Sequence, residues 1–190
     1  MKKFSTALVV LAVLFSSSAV RGQTITEIVA QSGGEFDRNF LDYDVLLNAV
    51  VTAGLADTLA DPNANFTVFA PNDAAFVRLA RDLGYNGFDE GEAWEFLVGA
   101  LTELGEGDPI PVLTAVLLYH VAPQRFNLIE VFFSRSITTV QGGEIRPRFF
   151  KLRDNDPDIR NPRLFWPLNV NADNGVIHTI NRVLIPIDLP

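Results

Sequence analysis

Through roughly the first two-thirds of the chain, apolar residues return every three or four positions, a pattern that predicts amphipathic helices. Helices are predicted to begin at Thr26, Asp44 and Asn72, because a short polar side chain there can accept a hydrogen bond from the first turn. Another helix is predicted over Glu92–Leu104, and a strand over Phe66–Ala70. The buried face of the helix beginning at Asp44 is predicted to comprise Leu46, Leu47, Val50 and Val51.

Beyond His120 the apolar segments become shorter and alternate with polar residues, which favours strands. A short helix is predicted over Leu128–Phe133, and Gln141-Gly142-Gly143 has the composition of a hairpin turn. The predicted strands are Ile137–Val140, Glu144–Leu152, Leu164–Val170 and Val176–Ile185. Helices followed by strands, without regular alternation, indicate an α+β domain and not a parallel sheet of repeated strand–helix–strand units.

The N-terminus has the layout of a secretory signal peptide. Met1-Lys2-Lys3 precedes an apolar stretch, which small residues follow. Cleavage after Ala19 or after Gly22 fits that pattern, and we favour Gly22. We therefore expect residues 1–22 to be removed and residues 23–190 to form a single domain without a membrane span. The mature protein is expected to be secreted, that is, extracellular, or periplasmic or on the cell surface if its host is bacterial.

Charge and composition exclude several classes of function. The expected mature chain keeps 12 basic and 23 acidic residues, a net charge of −11 that should repel nucleic acid. The absence of cysteine excludes thiol catalysis and iron–sulfur clusters. No nucleophile elbow, phosphate-binding loop or zinc-protease motif occurs either. The sequence therefore predicts a non-enzymatic protein without a cofactor or a metal.

Three segments together resemble a known family. They are Thr67–Phe76, which reads TVFAPNDAAF, Leu117–Val121 with its Tyr-His pair, and Gly175–Pro186. In this order they resemble the conserved boxes of the fasciclin (FAS1) domain. The resemblance implies a compact wedge of β-strands flanked by helices, and adhesion to a cell-surface or matrix protein.

The resemblance also implies adhesive contacts at Tyr119 and His120, and at Asn169 and Val170, which align with an Asp-Ile pair in the best-known members. Asn169 lacks the carboxylate that integrin recognition commonly needs, so the integrin interpretation is weaker than adhesion in general. The alternative for the two histidines, His120 and His178, is a structural, hydrogen-bonded role, and for Tyr119 a place in the core.

The segment 146–163 concentrates basic charge in an otherwise acidic chain. Arginine suits bidentate binding of sulfate or carboxylate groups, so an acidic extracellular polysaccharide is the alternative ligand, and the acidic face of another copy is a second candidate partner. A structural interpretation pairs this charge with Asp154, Asp156 and Asp158. The basic residues of the segment are Arg146, Arg148, Lys151, Arg153, Arg160 and Arg163.

The sequence contains three further motifs. Asn65-Phe66-Thr67 is an N-glycosylation sequon, so Asn65 is a candidate acceptor in a host that glycosylates secreted proteins. Asp154–Phe165 begins like a calcium loop but has Ile159 and Phe165 where the loop needs glycine and glutamate. The acids around Glu92 are expected to stabilise a helix N-terminus and not to act in catalysis.

Overall fold

A computed structural model describes residues 22–32 and 36–186. Apart from Gly22, the predicted signal peptide lies outside the described residues. The helices are α1 (Ile25–Ser32), α2 (Asp44–Thr52), α3 (Ala56–Ala60), α4 (Asp73–Asp82), α5 (Glu90–Leu104), α6 (Pro109–Tyr119) and α7 (Leu128–Phe133). The strands are β1 (Phe66–Pro71), β2 (Val121–Ala122), β3 (Ile137–Thr138), β4 (Glu144–Arg148), β5 (Lys151–Arg153), β6 (Val170–Ala172) and β7 (Gly175–Ile180).

The starts of the helices agree with the sequence in part. Asn72 caps α4 as predicted, since its side chain accepts the N–H of Ala75. The prediction that Thr26 caps the first helix was wrong. Thr24 and Glu27 form the capping pair there, while the Thr26 hydroxyl donates to the carbonyl of Ala56.

The predicted cap and buried face of α2 also need correction. Asp44 is already helical, and the N–H groups of Asp44 and Val45 instead donate to the carboxylate of Asp73 from α4. Val51 is 60% exposed, so the buried face of α2 is narrower than predicted. An aspartate distant in sequence thus takes the place of a local cap.

The main sheet has the strand order β2-β1-β7-β6. Its central strands β1 and β7 are parallel and stay in register from Phe66 opposite Gly175 to Pro71 opposite Ile180. All six residues of β7 are buried, as expected for a strand covered on both faces. The α+β class is confirmed, although two of the three segments that carry the sequence resemblance, Thr67–Phe76 and Gly175–Pro186, meet as a parallel pair.

A second, antiparallel sheet has the order β3-β4-β5. Across the two sheets, the strands predicted after His120 need correction, and the one predicted over Ile137–Val140 covers only Ile137–Thr138. The single strand predicted over 144–152 is a hairpin, because the chain turns at Phe149, whose φ is 53°. The segment 164–170 is mostly irregular and pairs with the main sheet through one isolated bridge between Leu164 and Ile180. The last predicted strand ends at Ile180 instead of Ile185.

Two apolar clusters hold the described part of the chain together. The larger packs the helices against one side of the main sheet. The smaller joins the two sheets through Phe69, Tyr119, Ile145, Leu152 and Leu184. Because Ile145 and Leu152 point into this cluster, their neighbours on β4 and β5 must point to solvent.

Candidate functional site

The outer face of the β4–β5 hairpin is basic. Burial alternates along both strands, so Ile145, Pro147 and Leu152 are buried while the residues between them are exposed. The exposed residues on this face include Arg146, Arg148, Lys151 and Arg153. All four belong to the segment that the sequence singled out, and the pleat brings them to one face.

The register of the hairpin places like charges directly opposite each other. Arg146 faces Arg153, and Arg148 faces Lys151. An isolated bridge then pairs Lys151 with Arg163 on the other side. Like charges opposite each other destabilise a sheet, by analogy with the roughly 0.2–1 kcal/mol that cross-strand pairs contribute. An anion bound to this face would relieve the repulsion between these cations.

Next to this face lies a polar groove of about 590 Å³, which Lys151 and Arg163 also line. Arg78 from α4, Arg160 from the loop and Arg182 after β7 extend the positive charge into it. A neighbouring depression of about 400 Å³ shares these three arginines and adds Arg81. The structure thus joins residues that lie far apart in the sequence to the predicted segment.

The charges in the groove act on one another. Burial lowers the pKa of the Arg78 guanidinium, and the charge of Arg182 lowers it further. The Arg78 side chain donates to the carbonyl of Asn181 at 2.7 Å, which holds the guanidinium at the groove. Arg81 lies over the ring of Phe88, with its guanidinium carbon 4.4 Å from the ring centre.

The basic surface is defined here as the hairpin face together with the groove. It comprises Arg78, Arg81, Arg146, Arg148, Lys151, Arg153, Arg160, Arg163 and Arg182. These are nine of the twelve lysine and arginine residues in the described part of the chain. The surface is therefore strongly basic, although the whole sequence carries a net charge of −8.

Little of this charge is neutralised internally. In residues 22–32 and 36–186, the basic surface forms ion pairs between Arg146 and Glu144 and between Arg182 and Asp82. The Asp154 carboxylate instead accepts the N–H of Ile185 at 3.0 Å, and in that range neither Asp154 nor Asp158 forms an ion pair. Within these residues, neither acid forms a close ion pair with the Arg-rich segment, although Asp158 lines the groove beside Arg160 and Arg163.

Asp156 is buried and its carboxylate accepts the N–H groups of Asp158 and Ile159, at 2.8 and 2.7 Å. Burial, the largest effect, raises the pKa of the nearby Asp154 to about 6. The acids of this loop thus serve to order the main chain.

Exposed aromatic rings border the basic face. Phe149 and Phe150 form the tip of the β4–β5 hairpin, and Phe149 is 82% exposed. The N–H of Leu164 donates to the carbonyl of Phe150 at 2.7 Å, which brings the exposed Phe165 and Trp166 to the same end. Flat apolar side chains next to cationic ones suit a ligand that has both ring faces and anionic groups.

The Tyr-His pair lies inside the protein. Tyr119 is fully buried and its hydroxyl donates to the carbonyl of Glu144 at 2.7 Å. His120 is 2% exposed, with Nδ1 2.8 Å from the carbonyl of Val116 and Nε2 2.9 Å from the N–H of Leu184. A ligand would reach either side chain only after a change in packing.

The second candidate pair lies at the start of β6. Asn169 is exposed, and its side-chain oxygen accepts the N–H of Leu128 at 2.8 Å. Val170 is half-buried in the sheet. The buried His178 contacts this region, since its Nε2 lies 2.9 Å from the carbonyl of Phe126 and its Nδ1 3.4 Å from the N–H of Asn169. Asn65, the sequon residue, is exposed just before β1.

Three members of the basic surface, Arg78, Arg81 and Arg182, lie outside the segment that the sequence pattern indicates. The spacing of Arg78 and Arg81 signals a shared exposed helix face. Nothing local indicates that this face lies beside the segment 146–163, because the contact depends on how β7 places Arg182 next to α4.

Comparison with known proteins identifies the family. The profile of the fasciclin domain matches residues 41–186. The chain belongs to the fasciclin family. The sequence resemblance and the α+β fold inferred from it are thus confirmed.

Two proteins of Synechocystis sp. (strain PCC 6803) are similar to this fasciclin protein. The one described as "Uncharacterized protein sll1735" is 29% identical over 143 residues, which cover 75% of this chain and 89% of the relative. "Protein sll1483" is 27% identical over 175 residues, which cover 92% of this chain and 80% of the relative.

The fold is also similar to a solved pair of FAS1 domains from the insect cell adhesion molecule Fasciclin I, with a TM-score of 0.58 and 16% sequence identity. The similarity covers 87% of this chain and 52% of that structure, so this chain spans about half of its length. Among the described residues of the fasciclin protein, no helix is both long and apolar enough to cross a membrane.

Proposed function

We propose that this fasciclin domain is a secreted, non-catalytic binding module that attaches to the extracellular matrix by holding an acidic polysaccharide on its basic surface. The observation that carries the proposal is the gathering of nine of twelve described cations on one surface of an acidic chain. Across the hairpin, Arg146 opposes Arg153 and Arg148 opposes Lys151, which concentrates positive charge on this face.

The chemistry of the surface supports this class of ligand. Arginine presents a planar fork of donors that matches a carboxylate or a sulfate group, and eight of the nine cations are arginine. The exposed rings of Phe149, at the hairpin tip, and of Trp166, two residues after Leu164, offer apolar faces that suit sugar rings. A long polyanion would span both the hairpin face and the groove.

The test is binding of residues 23–190 to an immobilised uronate-containing or sulfated polysaccharide across a salt series, with a neutral polysaccharide beside it. We expect binding to the acidic polymer alone and an affinity that falls as salt rises. Arg148→Gln with Lys151→Gln should weaken binding about tenfold or more, since two charge-assisted contacts are lost. The matched control is Arg38→Gln with Arg135→Gln, which removes the same charge outside the basic surface.

Equal loss in both double variants would show that net charge and not the basic surface governs binding. Binding that does not respond to salt or to Arg148 and Lys151 would contradict the proposal outright. Binding to both polymers to the same extent would do so as well.

A second candidate is adhesion to a cell-surface or matrix protein, which exposed apolar residues of α7 favour. Ile129 is 66% and Phe133 85% exposed, and Phe132 packs edge-on against Phe150 of the hairpin tip. Exposed apolar patches of this kind mark protein contacts. The test is binding to the producing organism's cells at high salt. This candidate predicts that binding persists at high salt, is lost in Phe133→Ser and is kept in Val51→Ser, which alters an exposed apolar residue elsewhere.

A further inference from the structure

The segment between α4 and α5 contains an asparagine followed by a glycine, Asn86-Gly87, at the edge of the basic surface. Asn86 is exposed and lines the depression of about 400 Å³ together with Arg78, Arg81 and Arg182. Because glycine has no Cβ, its main-chain nitrogen can approach the preceding side-chain amide with little hindrance. The position therefore combines an exposed amide, an unhindered neighbour and basic surroundings.

Among the described residues, neither the side-chain amide of Asn86 nor the main-chain N–H of Gly87 has a hydrogen-bond partner. The chain on either side is fixed. The N–H of Tyr85 donates to the carbonyl of Ala80 at 2.9 Å, and the Asp89 side chain caps α5. Rotation of the Asn86 side chain toward the nitrogen of Gly87 therefore breaks no hydrogen bond between described residues.

The packing of Tyr85 explains why a glycine occupies position 87. A Cβ at Gly87 would clash with the hydroxyl and the ring of Tyr85. That hydroxyl donates to the carboxylate of Glu92 at 2.7 Å, which fixes the ring against the loop. A larger residue would disturb this contact, so the fold favours glycine directly after Asn86.

A second asparagine–glycine pair, Asn174-Gly175, provides a comparison within the same chain. Asn174 is fully buried, and its side chain donates to the carbonyls of Leu59 and Asp61 and accepts the N–H of Ile25. Gly175 belongs to β7, which lies between β1 and β6 in the main sheet. In this pair the side chain cannot reach the following nitrogen until the structure opens locally.

We propose that Asn86 is a site of spontaneous deamidation, and that the product places a negative charge on the basic surface. The nitrogen of Gly87 gives its proton to water or hydroxide and bonds to the side-chain carbonyl carbon of Asn86, closing a succinimide ring. The bond from that carbon to Nδ2 breaks, and Nδ2 takes up a proton and leaves as ammonia. Water then opens the ring at one of its two carbonyls and leaves aspartate or isoaspartate. One water is consumed and one ammonia is released.

The arginines around Asn86 favour ring closure. Positive charge stabilises the deprotonated nitrogen of Gly87, as it lowers the pKa of any nearby acid. Asp82, which also lines the depression, forms an ion pair with Arg182, whereas among the described residues Arg78 has no ion-pair partner. The charge that lines the depression therefore remains positive in sum.

The consequence for binding rests on the proposed function. The new carboxylate would lie in the depression beside the guanidiniums and accept charge-assisted hydrogen bonds that would otherwise reach an acidic polysaccharide. Hydrolysis of the ring is irreversible, so the affinity for the polysaccharide should fall as the protein ages.

The test incubates residues 23–190 in warm, mildly alkaline buffer and follows each asparagine by peptide mass spectrometry, with detection of isoaspartate alongside. We expect the peptide that contains Asn86 to gain one dalton, about tenfold faster or more than the peptide that contains Asn174. The matched control is Asn86→Gln, whose amide is one carbon longer and would have to close a six-membered ring. The corresponding peptide of this variant should gain no mass.

Equal rates at Asn86 and Asn174 would overturn the proposal. So would the absence of a gain at Asn86 during a period in which the free peptide Leu83–Asp89 converts completely. No polysaccharide is present, so this result is independent of the proposed function.

Binding to an acidic polysaccharide at low salt tests the consequence. Asn86→Asp should weaken the affinity about twofold or more, whereas Gln31→Glu, which adds the same charge at an exposed position of α1, should leave it unchanged. Equal affinities of the two variants would overturn the consequence for binding. A wild type that does not bind the polysaccharide would contradict the proposed function, while the mass measurement would still decide whether Asn86 deamidates.

Discussion

Lowering the pH from about 7 to about 5 should destabilise the domain through His120. Its two ring nitrogens are both used by the neutral form, since Nδ1–H donates to the carbonyl of Val116 and Nε2 accepts the N–H of Leu184. A proton on Nε2 would face that N–H without an acceptor. Burial lowers the pKa of His120 to about 4, although the hydrogen bond to Val116 acts in the opposite direction.

The size of the effect follows from linkage between protonation and folding. In the unfolded chain the pKa of His120 returns to its ordinary value of about 6.5, so between about pH 6.5 and pH 4 the unfolded state binds the proton and the folded state does not. Stability therefore falls as the pH falls through this window. From about pH 7 to about pH 5 the loss attributable to His120 is about 2 kcal/mol.

The assay is equilibrium unfolding in urea at both pH values, for the wild type and for His120→Gln. Other groups also contribute to the pH dependence. The pKa of Asp154 is raised to about 6 in the folded protein, so its protonation stabilises the fold as the pH falls, opposite to the effect of His120. Subtracting the pH effect of the variant from that of the wild type isolates His120, because these other groups remain in both proteins.

We expect the wild type to lose about 2 kcal/mol more than the variant on acidification. An equal loss in both proteins would refute the reasoning. A second measurement is available if the variant does not fold: the imidazole pKa of His120 read directly by NMR titration, where a value near 6.5 would also refute it.

Two further predictions concern buried polar groups. Asn174→Ala should cost about 3 kcal/mol or more of unfolding free energy, because the buried side chain donates to the carbonyls of Leu59 and Asp61 and accepts the N–H of Ile25. Urea unfolding measures this, with exposed Asn86→Ala as the control, and a loss below about 1 kcal/mol would contradict it. Tyr119→Phe should cost about 1–2 kcal/mol by deleting the bond to Glu144, without changing polysaccharide affinity; a weaker affinity would instead indicate a contact role.

The parts of the fold that local signals determine were predictable. The cap at Asn72, the helix over Leu128–Phe133 and the strand ending at Pro71 all appear where short-range patterns place them. The β4–β5 hairpin could not be predicted in this way. Phe149 and Phe150 continue the apolar pattern of a strand, but the chain turns there and exposes both rings.

In the candidate site, too, the features that depend on local sequence were predictable and those that depend on long-range packing were not. The charge of the segment 146–163 and its alternation along a strand could be seen in the sequence. The groove could not be seen in the sequence, because Arg78 and Arg182 join it only through packing of α4 against the end of β7. The hydrogen bond from the N–H of Arg38 to Glu90 likewise could not be predicted, because α5 brings Glu90 to a loop that lies far from it in the sequence.

The most direct test of the central claim is an NMR titration of ¹⁵N-labelled residues 23–190 with a short acidic oligosaccharide at low salt. We expect shifts in the backbone amides of 146–163 and of Arg78, Arg81 and Arg182, together with changes in the arginine Nε–Hε signals, all reversed by added salt. Shifts confined to another face, or none while the parent polysaccharide still binds, would contradict the assignment of binding to the basic surface.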